Sequence, residues 1–503
     1  MKRKIGLFSL SLLVLLSLVS ACGAKKPGSI DANPLLSLLA GVPADPVNRS
    51  DAYIYFTDFS ALESAYNATR PANAEEFSKF DELGESYTVW YVGIRQIQNL
   101  LISQTFMSLE SMPEKVGFSM LDVDQSLAFG TPPGNGLILA GNFDQEAVST
   151  AYRDNLGMAS IVIDKFTLWC AEGDCSSGTK ISLDSRMREN PFGGDLGQRQ
   201  PMSISDDRLM ASPDLDLVLA HLSAATGKKP NLADDAAYRS AVNAVARDGD
   251  VIQATIANPV VVERIAHQQP GVNPLQAEAL AENFQELPPF VLFILADVVT
   301  EDEQIARLGF VFQDTAAAET AAPILLERLA NHPTIQFGGK TVGEMLAERS
   351  VTEPRSYVVK EAGRVVLVLE FPTRKATTAE IVQMREVGNQ YSATVPGLVY
   401  RLFMGLINTN DTGWMSTIKQ AELVTTKVGT LVGQRVTMSF SDIADGVIEQ
   451  INFGGIVIIE MEDGTKVDAI LSKSLWSQVT GGMKLEIATT SDPDYWEVIR
   501  IVK

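Results

Sequence analysis

Few residues in this 503-residue chain could do chemistry. Cys170 and Cys175 stand five positions apart in the stretch LWCAEGDCSSG. Such a pair can ligate a metal, cycle between thiol and disulfide, or form a structural bridge. A zinc site needs two more ligands, yet His221, His267 and His332 fall in three separate segments without metal-binding spacing. A redox pair wants C-x-x-C, whereas four residues intervene here. The two cysteines also flank a short loop between two strand-like runs, Ile161–Trp169 and Lys180–Leu183. Flanking positions of a hairpin lie close enough for a bridge.

A second constellation surrounds the glycine-rich stretch NPFGGDLGQR, residues 190–199, where Arg186, Arg188 and Arg199 gather positive charge. Guanidinium groups hold a carboxylate or phosphate through paired hydrogen bonds. The alternative is a flexible connection between two strands whose arginines pair with local acids. Other motifs fail on a named residue. Gly339-Lys340-Thr341 ends like a phosphate-binding loop, but Thr334 stands where its first glycine belongs. Asn408-x-Asn410-x-Thr412-Gly413 starts like a calcium loop, but Lys419 occupies the place of the bidentate carboxylate. No G-x-S-x-G elbow occurs. Asp206-Asp207 and Glu301-Asp302-Glu303 read as exposed loop acids, since carboxylate catalysis needs a defined separation in a cleft. These residues predict no cofactor, no metal and no catalytic group.

Compartment decides how the cysteines are read. The chain opens MKRKIGLFSLSLLVLLSLVSACG: three basic residues, a short apolar run from Ile5 to Val19, then small residues and Cys22. The run is shorter than the roughly 20 residues of a spanning helix. Leu18-Val19-Ser20-Ala21-Cys22 resembles the lipobox of bacterial lipoproteins, with Val19 where leucine is commonest. The resemblance implies cleavage before Cys22, lipidation of that cysteine, and a membrane-anchored location on the extracytoplasmic face. It also leaves Cys170 and Cys175 as the remaining pair in a compartment that can be oxidising, which implies a Cys170–Cys175 disulfide.

The elements that must position these residues read as α+β. Residues 1–21 form the signal peptide and 22–44 a tether. Residues 45–235 and 236–375 form two strand–helix halves with antiparallel sheets. A helical connector spans 376–422, and a small β-barrel of OB or SH3-like type spans 423–503. The stretches LILAGNFDQEAVSTAY (137–152) and ARLGFVFQDTAAAETA (306–321) share one plan: an apolar strand, a cap, an alanine-rich helix. That plan is either a duplication or the coincidence of a common pattern. Ser60-x-x-Glu63 and Thr377-x-x-Glu380 read as capping boxes, and Ser212-Pro213-Asp214 as a helix start. Pro323 should kink its helix or mark its beginning.

The net charge of −21 repels nucleic acid and anionic headgroups. The whole chain resembles large exported bacterial lipoproteins, with an anchor, an α+β body and an accessory β domain. The leading expectation is a non-catalytic binding protein, held at the membrane by its anchor, whose partner is an envelope protein or surface component. A solute-binding lipoprotein of a transporter and a carboxylate-dependent hydrolase are the alternatives.

Overall fold

The computed structural model describes residues 33–44, 53–95, 108–130, 134–163, 166–171, 175–205, 207–259, 285–332, 340–349, 351–387, 397–408, 413–415, 426–444, 447–472, 478–489 and 495–502. Cys22, the leader that reads as a signal peptide and His267 lie outside the described residues.

Twelve strands form one sheet. They are β1 (Ile54–Asp58), β2 (Val123–Phe129), β3 (Gly136–Gly141), β4 (Met158–Ile163), β5 (Phe166–Ala171), β6 (Met202–Ile204), β7 (Arg208–Ala211), β8 (Asp250–Ala257), β9 (Leu292–Val299), β10 (Glu303–Phe312), β11 (Arg355–Glu361) and β12 (Arg364–Arg374). Their order is β11-β12-β10-β9-β8-β1-β2-β3-β7-β6-β5-β4, and every neighbouring pair is antiparallel. This mixture of helix and antiparallel sheet is α+β. The two stretches read as halves share the sheet through β1 and β8, which pair from Ile54 opposite Ile256 to Thr57 opposite Gln253. Each side of that seam runs as a meander, β1-β2-β3 or β8-β9-β10. Each meander is followed by a helix, Gln145–Asp154 or Thr315–Asn331, and a later strand, β7 or β12, returns beside β3 or β10.

The central strands are apolar on both faces because both faces are covered. All of β9 is buried, with Ile294, Ala296 and Val298 in one core and Phe293 and Leu295 in another. The first core lies under the helices Pro34–Leu39, Leu215–Ala225 and Ala236–Val245. On the opposite face, Phe59–Tyr66, Glu85–Ile94 and Gln145–Asp154 cover one half. Thr315–Asn331, Val342–Glu348 and Leu398–Asn408 cover the other. The β11–β12 hairpin turns through Ala362 and Gly363, both at positive φ, as the mirror-image hairpin turns require.

Several local readings need correction. Ile161–Trp169 is not one strand: β4 ends at Ile163 and β5 begins at Phe166, paired with it. β6 and β7 form a further antiparallel hairpin. Asp58, not Ser60, caps the helix Phe59–Tyr66, because its carboxylate accepts from Ala61 N at 2.9 Å. Asp214, not Ser212, caps Leu215–Ala225. Pro323 lies inside a helix that begins at Thr315 under an Asp314 cap. The Thr377–Glu380 capping box is present. No return strand follows Cys175; Cys175–Thr179 is a 3-10 turn.

The C-terminal strands are β13 (Thr426–Ala444), β14 (Val447–Met461), β15 (Lys466–Ser472), β16 (Lys484–Thr489) and β17 (Tyr495–Ile501). They pair in the order β13-β14-β15-β17-β16, with β13 also beside β16 and only β15–β17 parallel. Leu431, Val457, Ile459, Ala469, Leu485, Ile487 and Val498 form their core.

Candidate functional site

Two buried polar clusters hold the sheet. At the first, Asp297 on β9 accepts from Gln253 Nε2 on β8 at 3.0 Å and from Gln304 Nε2 on β10 at 2.9 Å. Tyr66 donates to Gln304 Oε1 at 2.8 Å, tying in the helix of the other half. Burial raises the Asp297 carboxyl to about 6, against the lowering effect of the two glutamines and Arg401. Gly397 sits over this carboxylate: a Cβ there would lie 2.9 Å from Asp297 Oδ2. The helix Leu398–Asn408 starts at that point, so its N-terminal dipole faces the acid. Sequence reasoning missed this cluster. Its one signal is a lone acid in the otherwise apolar β9, LFILADVV.

At the second, Arg307 and Glu370 are cross-strand partners on β10 and β12, both buried, with Nε to Oε1 at 2.8 Å. Arg307 Nη1 also donates to Val245 O at 2.8 Å and to Arg247 O, capping the C-terminal end of Ala236–Val245. Glu370 further accepts from Tyr357 Oη and Arg355 Nε, each at 3.0 Å. These groups satisfy one another and serve the architecture.

His221 is buried. Its Nδ1 lies 2.5 Å from Gly41 O, and burial lowers its pKa to about 4. It is therefore neutral and joins Leu215–Ala225 to the N-terminal segment. No group of three or more His, Cys, Asp or Glu side chains that could hold a metal occurs among the described residues.

The arginine loop is the place where predicted site residues meet, and it is folded rather than loose. Ser182 N bonds Leu196 O, Met187 N bonds Gly194 O, and Gly194 N bonds Asn190 O. A Cβ at Gly197, where φ is +64°, would meet Ser182 O at 1.8 Å, so the fold of the loop demands glycine there. Phe192 anchors the loop in the core. Asn190 Oδ1 accepts from Tyr152 Oη at 3.2 Å and from Phe192 N at 3.1 Å.

A cavity of 250 Å3 lies between this loop and the end of the helix Gln145–Asp154. Arg186, Arg199, Ser185, Asn155, Asn190 and Gln198 line it. Asn155 is fixed by its Nδ2 donating to Glu114 O and Lys115 O. Arg186 Nε donates to Asp195 O at 2.6 Å, and its Nη2 is 3.9 Å from Asp195 Oδ1. Arg188 approaches the same carboxylate at 3.8 Å but does not line the cavity. Arg199 has no ion-pair partner among the described residues; its Nη1 lies 3.7 Å from where a Cβ on Gly157 would be. Of the three predicted arginines, the fold therefore brings Arg186 and Arg199 to one cavity and leaves Arg188 outside.

Cys170 and Cys175 are joined in a disulfide, with Cα atoms 4.9 Å apart. No helix among the described residues is long and apolar enough to cross a membrane.

No protein-family model and no curated protein match the chain. Among solved structures, crystal form I of TP0453 matches with 11% identity and a TM-score of 0.26, over 68% of this chain and 97% of that one. Crystal form III gives 11% and 0.24, over 70% and 98%. Those scores are too low to carry a function across.

Proposed function

We propose that this protein is an exported lipoprotein, anchored by acyl chains on Cys22 to the extracytoplasmic face of a membrane, whose body binds a partner rather than catalysing a reaction. The observation that carries the reading is the cavity at Arg186 and Arg199. Two guanidinium groups face a space bordered by the amides of Asn155, Asn190 and Gln198 and the Ser185 hydroxyl. That is donor chemistry for a carboxylate or phosphate group, with none of the nucleophile–base pairing that hydrolysis requires. The Cys170–Cys175 bridge supports export, since such bonds persist in oxidising compartments.

The twelve antiparallel strands argue against a transporter's solute receptor, whose lobes are built from parallel strand–helix–strand units. The pairing of β13 with both β14 and β16 supports reading the C-terminal strands as a small barrel of OB or SH3-like type. The similar strand order on either side of the β1–β8 seam supports a duplication.

The anchor is tested by mass spectrometry of the detergent-extracted protein. A mature chain starting at acylated Cys22, with Cys22→Ala released from the membrane fraction, is the expected result. An unmodified Cys22 retained behind an uncleaved leader would contradict it.

A further inference from the structure

The sheet ends in β4 on one side and β11 on the other, and the two edges differ. β11 reads RSYVVKE, with Arg355 tied to Glu303 and Glu370 and with Lys360 and Glu361 at its end. Charges of this kind protect an edge from unwanted strand pairing. β4 reads MASIVI, with neither a charge nor a proline. Ala159, Ser160, Ile161 and Val162 are all exposed, Ile161 at 51% and Val162 at 73%. Successive side chains point to opposite faces, so β4 is open on both. Its pairing with β5 runs without a register shift from Met158–Ala171 to Ile163–Phe166. The outer side of β4 therefore offers a regular row of backbone donors and acceptors.

Three neighbours make this edge a prepared one. Cys170, opposite Ala159, is fixed by its bridge to Cys175. Trp169, opposite Ser160, is buried, and its indole N–H has no acceptor among the described residues. Arg199 lies beside Gly157, one residue before β4 begins, and shares its cavity with Arg186.

We propose that β4 is a docking edge, to which an extended segment of a separate partner protein adds as a further strand. The added strand sets apolar side chains beside Ile161 on one face and Val162 on the other, and an acidic residue at the end meets Arg199 and Arg186. The arginines select this occupant. A second copy of β4 would bring an uncharged strand to them. The inference rests on the binding reading of the same end of the molecule and adds the kind of partner and how it docks.

The test uses fluorescence anisotropy with a synthetic probe of about seven residues, a typical strand length, alternating valine and threonine with glutamate at both ends. A control probe has alternate backbone nitrogens methylated. The wild-type protein should bind the first probe, and backbone methylation, Val162→Lys and Arg199→Glu should each weaken binding roughly tenfold or more, a difference of about 1.4 kcal/mol. Val162 is exposed, so its variant should melt as the wild type does; Ser160→Lys serves as a second edge variant. No binding of the first probe, equal binding of the methylated probe, or a dimer in sedimentation that Val162→Lys dissolves would each overturn the proposal. Inorganic phosphate is titrated alongside. Phosphate binding that Arg199→Glu abolishes, without peptide binding, would leave the anion site standing and remove strand addition alone.

Discussion

Cys170 on β5 lies directly opposite Ala159 on β4, and the same Cys170 is bonded to Cys175. The bridge thus sits one strand in from the open edge of the sheet. Its short ring limits what it adds to global stability, while its position fixes the end of the strand on which β4 is built.

Replacing both cysteines by alanine should therefore lower stability by only about 2 kcal/mol on the chain-entropy estimate. The larger effect should be local: faster amide exchange in β4 and β5 than in β9 and β10. Exchange mass spectrometry of the two forms checks this, and uniform destabilisation would count against it.

Asp297 and Asp58 give the stability a pH dependence of definite sign. Burial raises both carboxyls to about 6, above their ordinary value of 3.8. Between those limits the folded state holds more protons than the unfolded one, so stability falls as pH rises from about 4 to about 6 and then levels. Asp297→Asn should remove its share of that pH dependence, on the order of 3 kcal/mol across the range. Denaturant titrations of both proteins across that range measure it.

Glu370→Ala should be among the most damaging single changes in the body, at about 3 to 5 kcal/mol, because it strands the buried Arg307 guanidinium. Arg307→Met combined with Glu370→Leu should be much milder than either partner removed alone. Urea unfolding of the single and double variants decides whether the pair acts as a unit.

The cavity separates the three arginines. Arg186→Ala and Arg199→Ala should each weaken phosphate binding by roughly tenfold, in line with the loss of one charged hydrogen bond. Arg188→Ala, outside the cavity, should leave it unchanged. Calorimetric titration gives the comparison, and equal effects from all three would point to a diffuse charge effect instead.

Much of the local structure was legible because its signals are local. The cap expected within LILAGNFDQEAVSTAY is Asp144, and Thr377 and Glu380 cap each other. The single sheet was not legible, because β1 and β8 are joined by pairings such as Ile54 with Ile256, far apart in the chain. Ile161–Trp169 concealed a hairpin because apolar residues continue on both sides of its turn. Arg186 and Arg199 could be named from composition, but only the fold of the loop separates them from Arg188. The Asp297 cluster depends on three strands in register, and no spacing within one strand announces it.

If β4 is the docking edge, the partner lies against Val162 when it is bound. A photo-crosslinking side chain placed at Val162 in intact cells tests it most directly, with the same probe at Lys360 on the charged β11 edge as the control. Adducts should form from position 162 only, map to an extended acidic segment of another protein and be competed by the acidic valine–threonine probe. Adducts of equal yield from both edges, adducts to a second copy of this chain, or none from position 162 would contradict it.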